Sequence, residues 1–470
     1  MQVRNAISVA ALTLLLSACG SDNDDDSVTA PPPPPPPPVE QAQLRVIHAS
    51  ADAPAVNILV NGAVVEGLAG VDYRVGSGFL ALDEATYSVA VDGILPDTST
   101  VQVLDLGDLA LEGNTEYTVV AHGVVAADDD SSNDLAAAII SNPETELGAG
   151  NIRLQVLHAA PNAPTVDLHV TGAEDELGSA LATLAYGDVT GQVEVPAGVY
   201  RVRLVLPEGS DGAGAVAFDV VLPDLAAGAD LFVTAVPKTG VMASPVKLLV
   251  NDGVSTSSFI DDRTTAEVRV IHTAADVPNV DIFVDDGKVD ALSNAPFNGV
   301  TGYVALPEGE YTVDARLTDD NTVTGISASL SVLNNTKYTV HAVGTLAADD
   351  DAALEYYVLE DTVRAVATET KIRLTHAHPS VGNVDIYVTA DGNIADVEPA
   401  FADVPYKANT GFVVLSPGDY QIQVTATGTK TVAIDTGIIT LAAGGVYSAT
   451  AVNAPEQPIA NLVLSDDFVE

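Results

Sequence analysis

Tryptophan is absent from the 470-residue chain, and aromatic residues make up only 5% of it. A large ligand cavity lined with rings is therefore not expected, whereas a hydrophobic fraction of 47% suits small β-domains. Basic residues are also scarce, because 18 lysines and arginines face 65 acidic residues, for a formal net charge of -47. Such a field repels phosphates, so the composition excludes DNA and RNA as partners.

Cysteine occurs once, at Cys19, which excludes an internal disulfide. Upstream lie Arg4 and an apolar run over residues 6–16, which is too short for a comfortable membrane span but typical of a secretory signal. The letters LSAC resemble a bacterial lipobox, with cleavage before Cys19 and diacylglycerol on its sulfur. The alternative is a plain signal peptide with an incidental cysteine. By resemblance to other lipoproteins, Gly20 and Ser21 favour the outer membrane. We predict a lipoprotein signal peptide at 1–18 and a cell-envelope protein held by its lipid anchor, with exposure at the cell surface and a periplasmic orientation both left open.

The segment after the cysteine is acidic and then proline-rich, with eight consecutive prolines at residues 31–38. This composition cannot bury enough apolar surface to fold, and polyproline extends by about 3.1 Å per residue. We therefore predict a disordered tether over residues 19–41. Asp22, Asp24 and Asp26 have the alternate spacing of a calcium loop, but the turn glycine and the closing glutamate are missing, so calcium is not assigned there.

A histidine motif recurs four times, at intervals of 110, 114 and 104 residues. Its copies read RVIHASADAPAVNILV, LQVLHAAPNAPTVDLHV, RVIHTAADVPNVDIFV and RLTHAHPSVGNVDIYV, with histidines at His48, His158, His272 and His376. The period is too long for a propeller blade or solenoid coil and suits a whole β-sandwich of roughly 100 residues. We predict an all-β chain of four tandem immunoglobulin-like β-sandwich domains, at residues 42–142, 151–252, 265–363 and 371–465.

Two aromatic positions recur within each copy. The first lies nine residues after a glycine, at Tyr87, Tyr200, Tyr311 and Tyr420. The second follows 27 to 32 residues later and resembles a tyrosine corner, whose hydroxyl ties a loop to a neighbouring strand, at Tyr117, Phe232, Tyr338 and Tyr447. Alternation of period two, as in YTVDARL, favours strands throughout. The short polar linkers favour a semi-rigid rod.

Each histidine is followed nine residues later by a polar residue, at Asn57, Asp167, Asp281 and Asp385. A histidine with a nearby acid is one form of chemical site, but a metal would need three or four converging ligands. Strand parity places the histidine at the end of the core-facing row and the acid on the opposite face of the next strand. We therefore interpret all eight residues as structural, with the histidine capping the sandwich through hydrogen bonds to the following loop.

Two acidic loops occupy matching places in the first and third copies. Their candidate calcium ligands are Asp128, Asp129, Asp130, Asp134, Asp349, Asp350 and Asp351. Clustered carboxylates at a loop tip can coordinate calcium weakly, and a solvated hairpin turn explains them equally well. The pair His376 and His378 has a spacing suited to a transition metal but no further ligand. The sequence Asp285-Asp286-Gly287 predicts a tight turn. Calcium at the acidic loops is therefore the one cofactor considered, and otherwise none is expected.

No HExxH, GxSxG or phosphate-cradling glycine motif is present in the sequence. Paired carboxylates for glycoside hydrolysis stay open in so acidic a chain. An enzyme, however, usually needs one elaborated cleft, whereas four near-equivalent modules suit spacing, avidity or display. The sequence therefore predicts a protein that is not an enzyme.

The motif H-A, then P-x-V-D-[IL]-x-V, then a glycine-aromatic strand and a G-x-Y turn, resembles the bacterial family of domains of unknown function numbered 4397. The resemblance covers residues 44–464; Asn57 and Gly382 depart from its pattern. Members are commonly exported and tandem, and no catalytic residue is carried over. We expect adhesion, scaffolding or binding of an extracellular or periplasmic partner. The alternatives are a calcium- or glycan-binding module and an accessory domain of an extracellular hydrolase.

Overall fold

The computed structural model describes residues 40–125, 133–346, 348, 352–361, 364–453 and 461–466. Within these ranges the chain forms strands and one 3-10 turn, Asp290–Leu292, but no α-helix. The all-β prediction is confirmed. The predicted signal peptide, the lipidation residue Cys19 and the predicted tether up to residue 39 lie outside the described residues.

The strands fall into four successive groups, which we call the first to fourth repeats. The first repeat contains β1 (Gln41–His48), β2 (Val56–Val60), β3 (Ala63–Val64), β4 (Leu80–Asp83), β5 (Ala85–Ile94), β6 (Thr100–Leu111), β7 (Thr115–His122) and β8 (Ala136–Pro143). The second contains β9 (Asn151–His158), β10 (Val166–Gly172), β11 (Ala182–Leu184), β12 (Val193–Pro196), β13 (Tyr200–Val205), β14 (Val216–Val221), β15 (Asp230–Pro237), β16 (Val246–Asn251) and β17 (Thr256–Phe259).

The third repeat contains β18 (Ala266–His272), β19 (Val280–Val284), β20 (Gly287–Lys288), β21 (Val304–Leu306), β22 (Gly309–Leu317), β23 (Asp320–Val332), β24 (Lys337–Val343) and β25 (Glu355–Glu360). The fourth contains β26 (Thr370–His376), β27 (Val384–Thr389), β28 (Phe401–Val404), β29 (Ala408–Leu415), β30 (Gly418–Ala426), β31 (Val432–Leu441), β32 (Val446–Val452) and β33 (Asn461–Asp466).

All four repeats share one strand order. In each repeat the first strand lies between the fourth, which is antiparallel to it, and the seventh, which is parallel to it, and the eighth strand pairs with the seventh. In the second repeat β17 extends this sheet as a fifth strand beside β16. The second sheet has the order third, second, fifth, sixth. This order differs from the predicted immunoglobulin-like one, in which the first, second, fourth and fifth strands share a sheet. Turn spacing reveals how many strands there are, but it carries no information about which of them become neighbours.

Each pair of sheets encloses its own hydrophobic cluster. In the first repeat the cluster includes Leu44, Val46, Ile58, Val91 and Val119, which come from both sheets. Equivalent clusters occupy the other three repeats. Full burial of such a side chain contributes about 1.5–3 kcal/mol, so alternation of apolar residues along each strand is enough to bring the two sheets together.

The sheets that contain the first and seventh strands are buried on their outer faces as well. A second cluster joins the first repeat to the second repeat, and another joins the third repeat to the fourth. Because both faces of the first strand are covered, consecutive residues 44–48 are all buried instead of alternating with exposed ones. The repeats therefore pack in pairs through these faces, a contact that linker length alone did not predict.

The aromatic positions act as corners. The hydroxyls of three tyrosines accept a backbone N–H from the residue five positions upstream: Tyr117 from Glu112 at 3.0 Å, Tyr338 from Leu333 at 3.2 Å and Tyr447 from Ala442 at 3.1 Å. The tyrosine-corner prediction is confirmed for these repeats. The tyrosine that precedes the corner in each repeat donates its hydroxyl to the backbone carbonyl four residues upstream. These bonds run from Tyr87 to Asp83, Tyr200 to Pro196, Tyr311 to Pro307 and Tyr420 to Ser416.

The second repeat departs from the predicted corner. Leu231 pairs with Leu154 as Tyr117 pairs with Leu44, so Leu231 occupies the corner position and Phe232 lies one residue later. Because successive strand residues point to opposite faces, Phe232 packs in the cluster between the first and second repeats. Its assignment as a corner residue was wrong by one position.

Candidate functional site

The four motif histidines lie at the end of the first strand of each repeat, and all are buried. In every copy Nε2 donates to the carbonyl six residues later, in the loop before the second strand. The acceptors are Pro54 at 3.0 Å, Pro164 at 3.1 Å, Pro278 at 3.2 Å and Gly382 at 3.2 Å. A carbonyl can only accept, so the proton must sit on Nε2. Each imidazole thus holds the loop that leads into the next strand.

Burial lowers the pKa of all four histidines below the usual value of 6.5, so they are neutral at pH 7. The Nδ1 atoms of His158 and His376 accept backbone N–H groups two residues later, at 3.4 Å. The Nδ1 atoms of His48 and His272 are buried and have no hydrogen-bond partner among the described residues. A buried nitrogen is not available to a substrate, so this arrangement does not provide a general base.

Asp281 is the most elaborately bound of the motif acids and is only 1% exposed. Its carboxylate accepts hydrogen bonds from Lys288 Nζ at 2.7 Å, Asn294 N at 2.8 Å, Asn321 Nδ2 at 2.9 Å and Thr318 Oγ1 at 3.1 Å. Burial by itself favours the protonated acid, but these hydrogen bonds prevail and lower the pKa of Asp281 to about 2. The group is therefore a carboxylate at neutral pH and cannot donate a proton.

The equivalent residues in the other repeats also bind loops or the neighbouring third strand. Asn57 accepts from Gly70 N at 2.9 Å, and Asp167 accepts from Thr183 Oγ1 at 2.5 Å. Asp385 accepts from two backbone N–H groups, of Asp403 and Gly428, both at 2.8 Å. The described histidines and acids therefore have separate partners: the histidine binds the loop before the second strand, and the polar residue nine positions later binds loops or strands that follow it.

The acidic loops are only partly described. The predicted calcium ligands Asp128, Asp129, Asp130, Asp349, Asp350 and Asp351 lie outside the described residues. Asp134 is described, and it is exposed beside the start of β8. Within the described ranges, no group of three or more histidines, cysteines, aspartates or glutamates is placed to hold a metal ion.

Two carboxylates that sequence reasoning missed anchor the bases of these loops. Asp52 accepts from Val125 N at 2.9 and 3.0 Å, and Asp276 accepts from Leu346 N at 2.9 Å. Both lie four residues after the motif histidine, in ADAP and ADVP, and only the two copies that carry acidic loops have aspartate there. That correlation between two motifs of one repeat was a signal available in the sequence.

The histidine pair of the fourth repeat is not arranged as a metal site. His376 uses Nε2 to donate to Gly382 and Nδ1 to accept from the backbone N–H of His378. Nδ1 of His378 in turn accepts from Ser380 N at 3.3 Å. Because both nitrogens of His376 are already engaged, the two rings do not offer converging lone pairs.

A cavity inside the second repeat has a volume of only ≈ 30 Å³ and is lined by apolar side chains of both sheets and by His158. Pockets for small molecules usually measure about 300–1,000 Å³ and carry a few convergent polar groups. This cavity is a packing defect of the core and not a place for substrate.

Fold and site together define a class: an all-β protein of repeated two-sheet sandwiches whose motif histidines and acids bind neighbouring loops and strands. The chain belongs to the family described as Domain of unknown function (DUF4397), whose model matches residues 42–169, 266–387 and 389–469. These segments cover more than half of the chain, so the resemblance predicted from the motifs is confirmed. No curated protein matches the sequence.

Three solved structures are similar to this chain at a distance. The Bacillus anthracis TIE protein is 11% identical, with 85% of this chain and 66% of that chain covered and a TM-score of 0.15. A variant of BcpA, the major pilin subunit of Bacillus cereus, is 9% identical over 65% of this chain and 100% of that chain, with a TM-score of 0.14. The Bacteroides ovatus protein SGBP-B, solved with a mixed-linkage heptasaccharide, is 12% identical over 84% and 92%, with a TM-score of 0.10. No helix in the described part of the chain is long and apolar enough to cross a membrane.

Proposed function

We propose that this chain is a lipid-anchored protein of the bacterial cell envelope whose tandem β-sandwich modules serve adhesion, scaffolding or binding of an extracellular partner, without catalysis. The observation that supports the proposal is that the motif residues form hydrogen bonds that stabilise the fold. Four buried histidines donate to loop carbonyls, and the four polar residues that follow them accept hydrogen bonds from neighbouring loops and strands.

The part of the chain ahead of the modules supports the same function. A lipidated Cys19 would hold the protein at a membrane, since each buried methylene of an acyl chain contributes about 0.8 kcal/mol. The eight prolines that follow would space the modules from the membrane by about 25 Å, at about 3.1 Å per residue. A net charge of -47 keeps such modules soluble and apart from anionic surfaces.

Replacing Cys19 by serine tests the anchor. In cells fed with labelled palmitate, the natural chain should be labelled and sediment with membranes, while Cys19→Ser should be unlabelled and leave the membrane fraction. Ser21→Ala is the matched control, because it changes a small residue after the cleavage site and should keep both properties. Membrane retention of unlabelled Cys19→Ser would contradict the anchor.

Deleting one pair of repeats tests the modular role. Whole cells that display chains lacking residues 41–259 or residues 266–466 would be treated with protease, to establish surface exposure, and with a crosslinker, to capture the partner. Interchangeable modules should give a graded loss of the captured partner with either deletion. Complete loss with one deletion and no loss with the other would indicate a single specialised site and contradict the proposal.

A further inference from the structure

The first and third repeats use the same surface to contact the repeat that follows. This surface, which we call the pairing face, is the outer face of the sheet that contains the first, seventh and eighth strands. Between the first two repeats it buries ten residues: Ile47, Ala49, Tyr73, Val120, Ile140, Leu157, Ala159, Phe232, Val236 and Leu249. Between the third and fourth repeats the corresponding cluster contains Ile271, Val343, Ala377 and Val452. The hydrophobic effect is non-directional, so apolar contact alone would not select which pairing face meets which.

Polar side chains occupy two equivalent positions on these faces. Asn142 lies opposite Glu116 in the sheet, and Glu116 is the residue before the corner tyrosine Tyr117 of the first repeat. Asp361 donates its backbone N–H to Lys337, again one residue before the corner tyrosine. Asn142 and Asp361 are therefore the same position in the first and third repeats.

The partner positions are equivalent as well. Gln155 pairs with Phe232 in the second repeat, and Arg373 pairs with Ser448 in the fourth. In both repeats the residue on the first strand lies three positions before the motif histidine. Gln155 and Arg373 therefore occupy the same position in the second and fourth repeats.

The two interfaces use these positions with different chemistry. Asn142 Nδ2 donates to Gln155 Oε1 at 2.8 Å, a neutral pair. Arg373 Nη2 donates to Asp361 Oδ1 at 2.6 Å, an ion pair in which Arg373 is 2% exposed and Asp361 is fully buried. Arg373 also donates to the carbonyl of Glu360 at 2.9 Å, on the third repeat.

We propose that these two side-chain pairs are a pairing code that directs each repeat to its proper neighbour. The amide pair joins the first repeat to the second, and the ion pair joins the third to the fourth. A wrong pairing of the first repeat with the fourth would set Asn142 against Arg373 and leave a buried guanidinium without its carboxylate. Discrimination then comes from the cost of the unpaired charge, which rejects the wrong neighbour even when the apolar contact fits.

Two side chains of the third repeat itself hold Asp361 in position. Asp361 Oδ2 accepts from Tyr303 Oη at 2.8 Å and lies 3.7 Å from Arg269 Nη2. These contacts hold the carboxylate in place before the fourth repeat arrives, so Arg373 meets a preorganised acceptor. Asp361 is thus fastened to its own repeat, and Arg373 is the group that recognises it.

The test uses the full chain with Arg373→Gln, Asp361→Asn and the double variant, which copies the polar chemistry of the first interface. Each single variant should lower the melting temperature by about 6 °C or more, because one member of a buried pair is left unmatched. The double variant should recover at least half of the combined loss. Losses that simply add, or single losses below about 1 °C, would overturn the proposal.

A second readout reports pairing directly. Lys407 Nζ of the fourth repeat lies 2.5 Å from Glu355 Oε1 of the third, so a carbodiimide should join them in a crosslink identified by peptide mass spectrometry. The crosslink should fall at least several-fold in Arg373→Gln and return in the double variant. An unchanged crosslink in Arg373→Gln would show that the ion pair does not direct the contact.

The first interface supplies the reciprocal control. Gln155→Arg places a guanidinium opposite Asn142 and should lower the melting temperature, whereas Asn142→Asp with Gln155→Arg should restore it. These variants should leave the crosslink between Lys407 and Glu355 unchanged. Equal stability of Gln155→Arg and the double variant would contradict a code based on matched chemistry.

Discussion

The carboxylate of Asp281 should make the stability of this protein depend on pH in acid. Its pKa of about 2 lies below the value of 3.8 that the group has in an unfolded chain. A folded-state pKa that is lowered means that the stabilisation is fully present above pH 3.8 and is lost as pH falls toward 2. A difference of nearly two units corresponds to about 2 kcal/mol of unfolding free energy.

The variant Asp281→Asn isolates this contribution. Urea unfolding would be measured from pH 7 to pH 2 for the natural chain and for the variant, and the difference in unfolding free energy between them should shrink by about 2 kcal/mol between pH 5 and pH 2. Other carboxylates titrate in both chains and cancel in the difference.

Asp286→Asn is the matched control, because it removes the same charge from a side chain that is 91% exposed in the neighbouring turn. An exposed ion pair contributes about 0–1 kcal/mol, so the control should show little pH dependence of its own. A difference between Asp281→Asn and the natural chain that stays constant across this pH range would refute the reasoning.

Four further outcomes follow from the structure. His272→Ala removes a buried loop cap and leaves a cavity, so the unfolding free energy in urea should fall by about 2–4 kcal/mol, and a loss below about 0.5 kcal/mol would contradict a capping role. His341 Nε2 lies 3.2 Å from Thr450 Oγ1 of the fourth repeat, and burial lowers the pKa of His341 to about 3. The unfolded chain therefore binds a proton that the folded chain does not, so the melting temperature should fall as pH drops below 6.5. His341→Gln should weaken this pH dependence of the melting temperature, and an unaltered pH dependence in the variant would contradict the assignment to His341. Gly344→Ala should destabilise strongly, because φ is +101° and the new Cβ would clash with the carbonyl oxygen of Ala353, whereas Gly302→Ala, with open space around it, should be nearly neutral in the same thermal unfolding assay. Addition of EDTA should leave the melting temperature unchanged; a clear fall that added calcium reverses would show that the folded chain binds calcium.

Local patterns predicted much of each repeat. The spacing of glycines and tyrosines predicted three corners whose hydroxyl bonds span five residues, and Asp285-Asp286-Gly287 predicted a tight turn. In that turn the positive φ angles fall on Asp285 and Asp286, not on Gly287. Strand parity separated each histidine from its acid, because alternation needs only the direction of neighbouring side chains. The corner of the second repeat failed because Leu231 lacks the hydroxyl that marks the position elsewhere.

Contacts between residues far apart in the chain could not be predicted from the sequence. Asp281 is held by Lys288 and Asn321, which lie 7 and 40 residues later on different hairpins. The pairing of Asn142 with Gln155 and of Asp361 with Arg373 depends on which sheet faces meet. Such partners are chosen by packing, which no local period encodes.

The sequence by itself determined the fourfold period, the strand content, the corner turns and the family, because these follow from residues close together in the chain. Tertiary structure alone decided the strand order, the second buried face of the first strands and the partners of the buried charges. The physical reason is that a sheet edge or an apolar face accepts many partners. Complementary shape and matched charge then select one of them once the chain has folded.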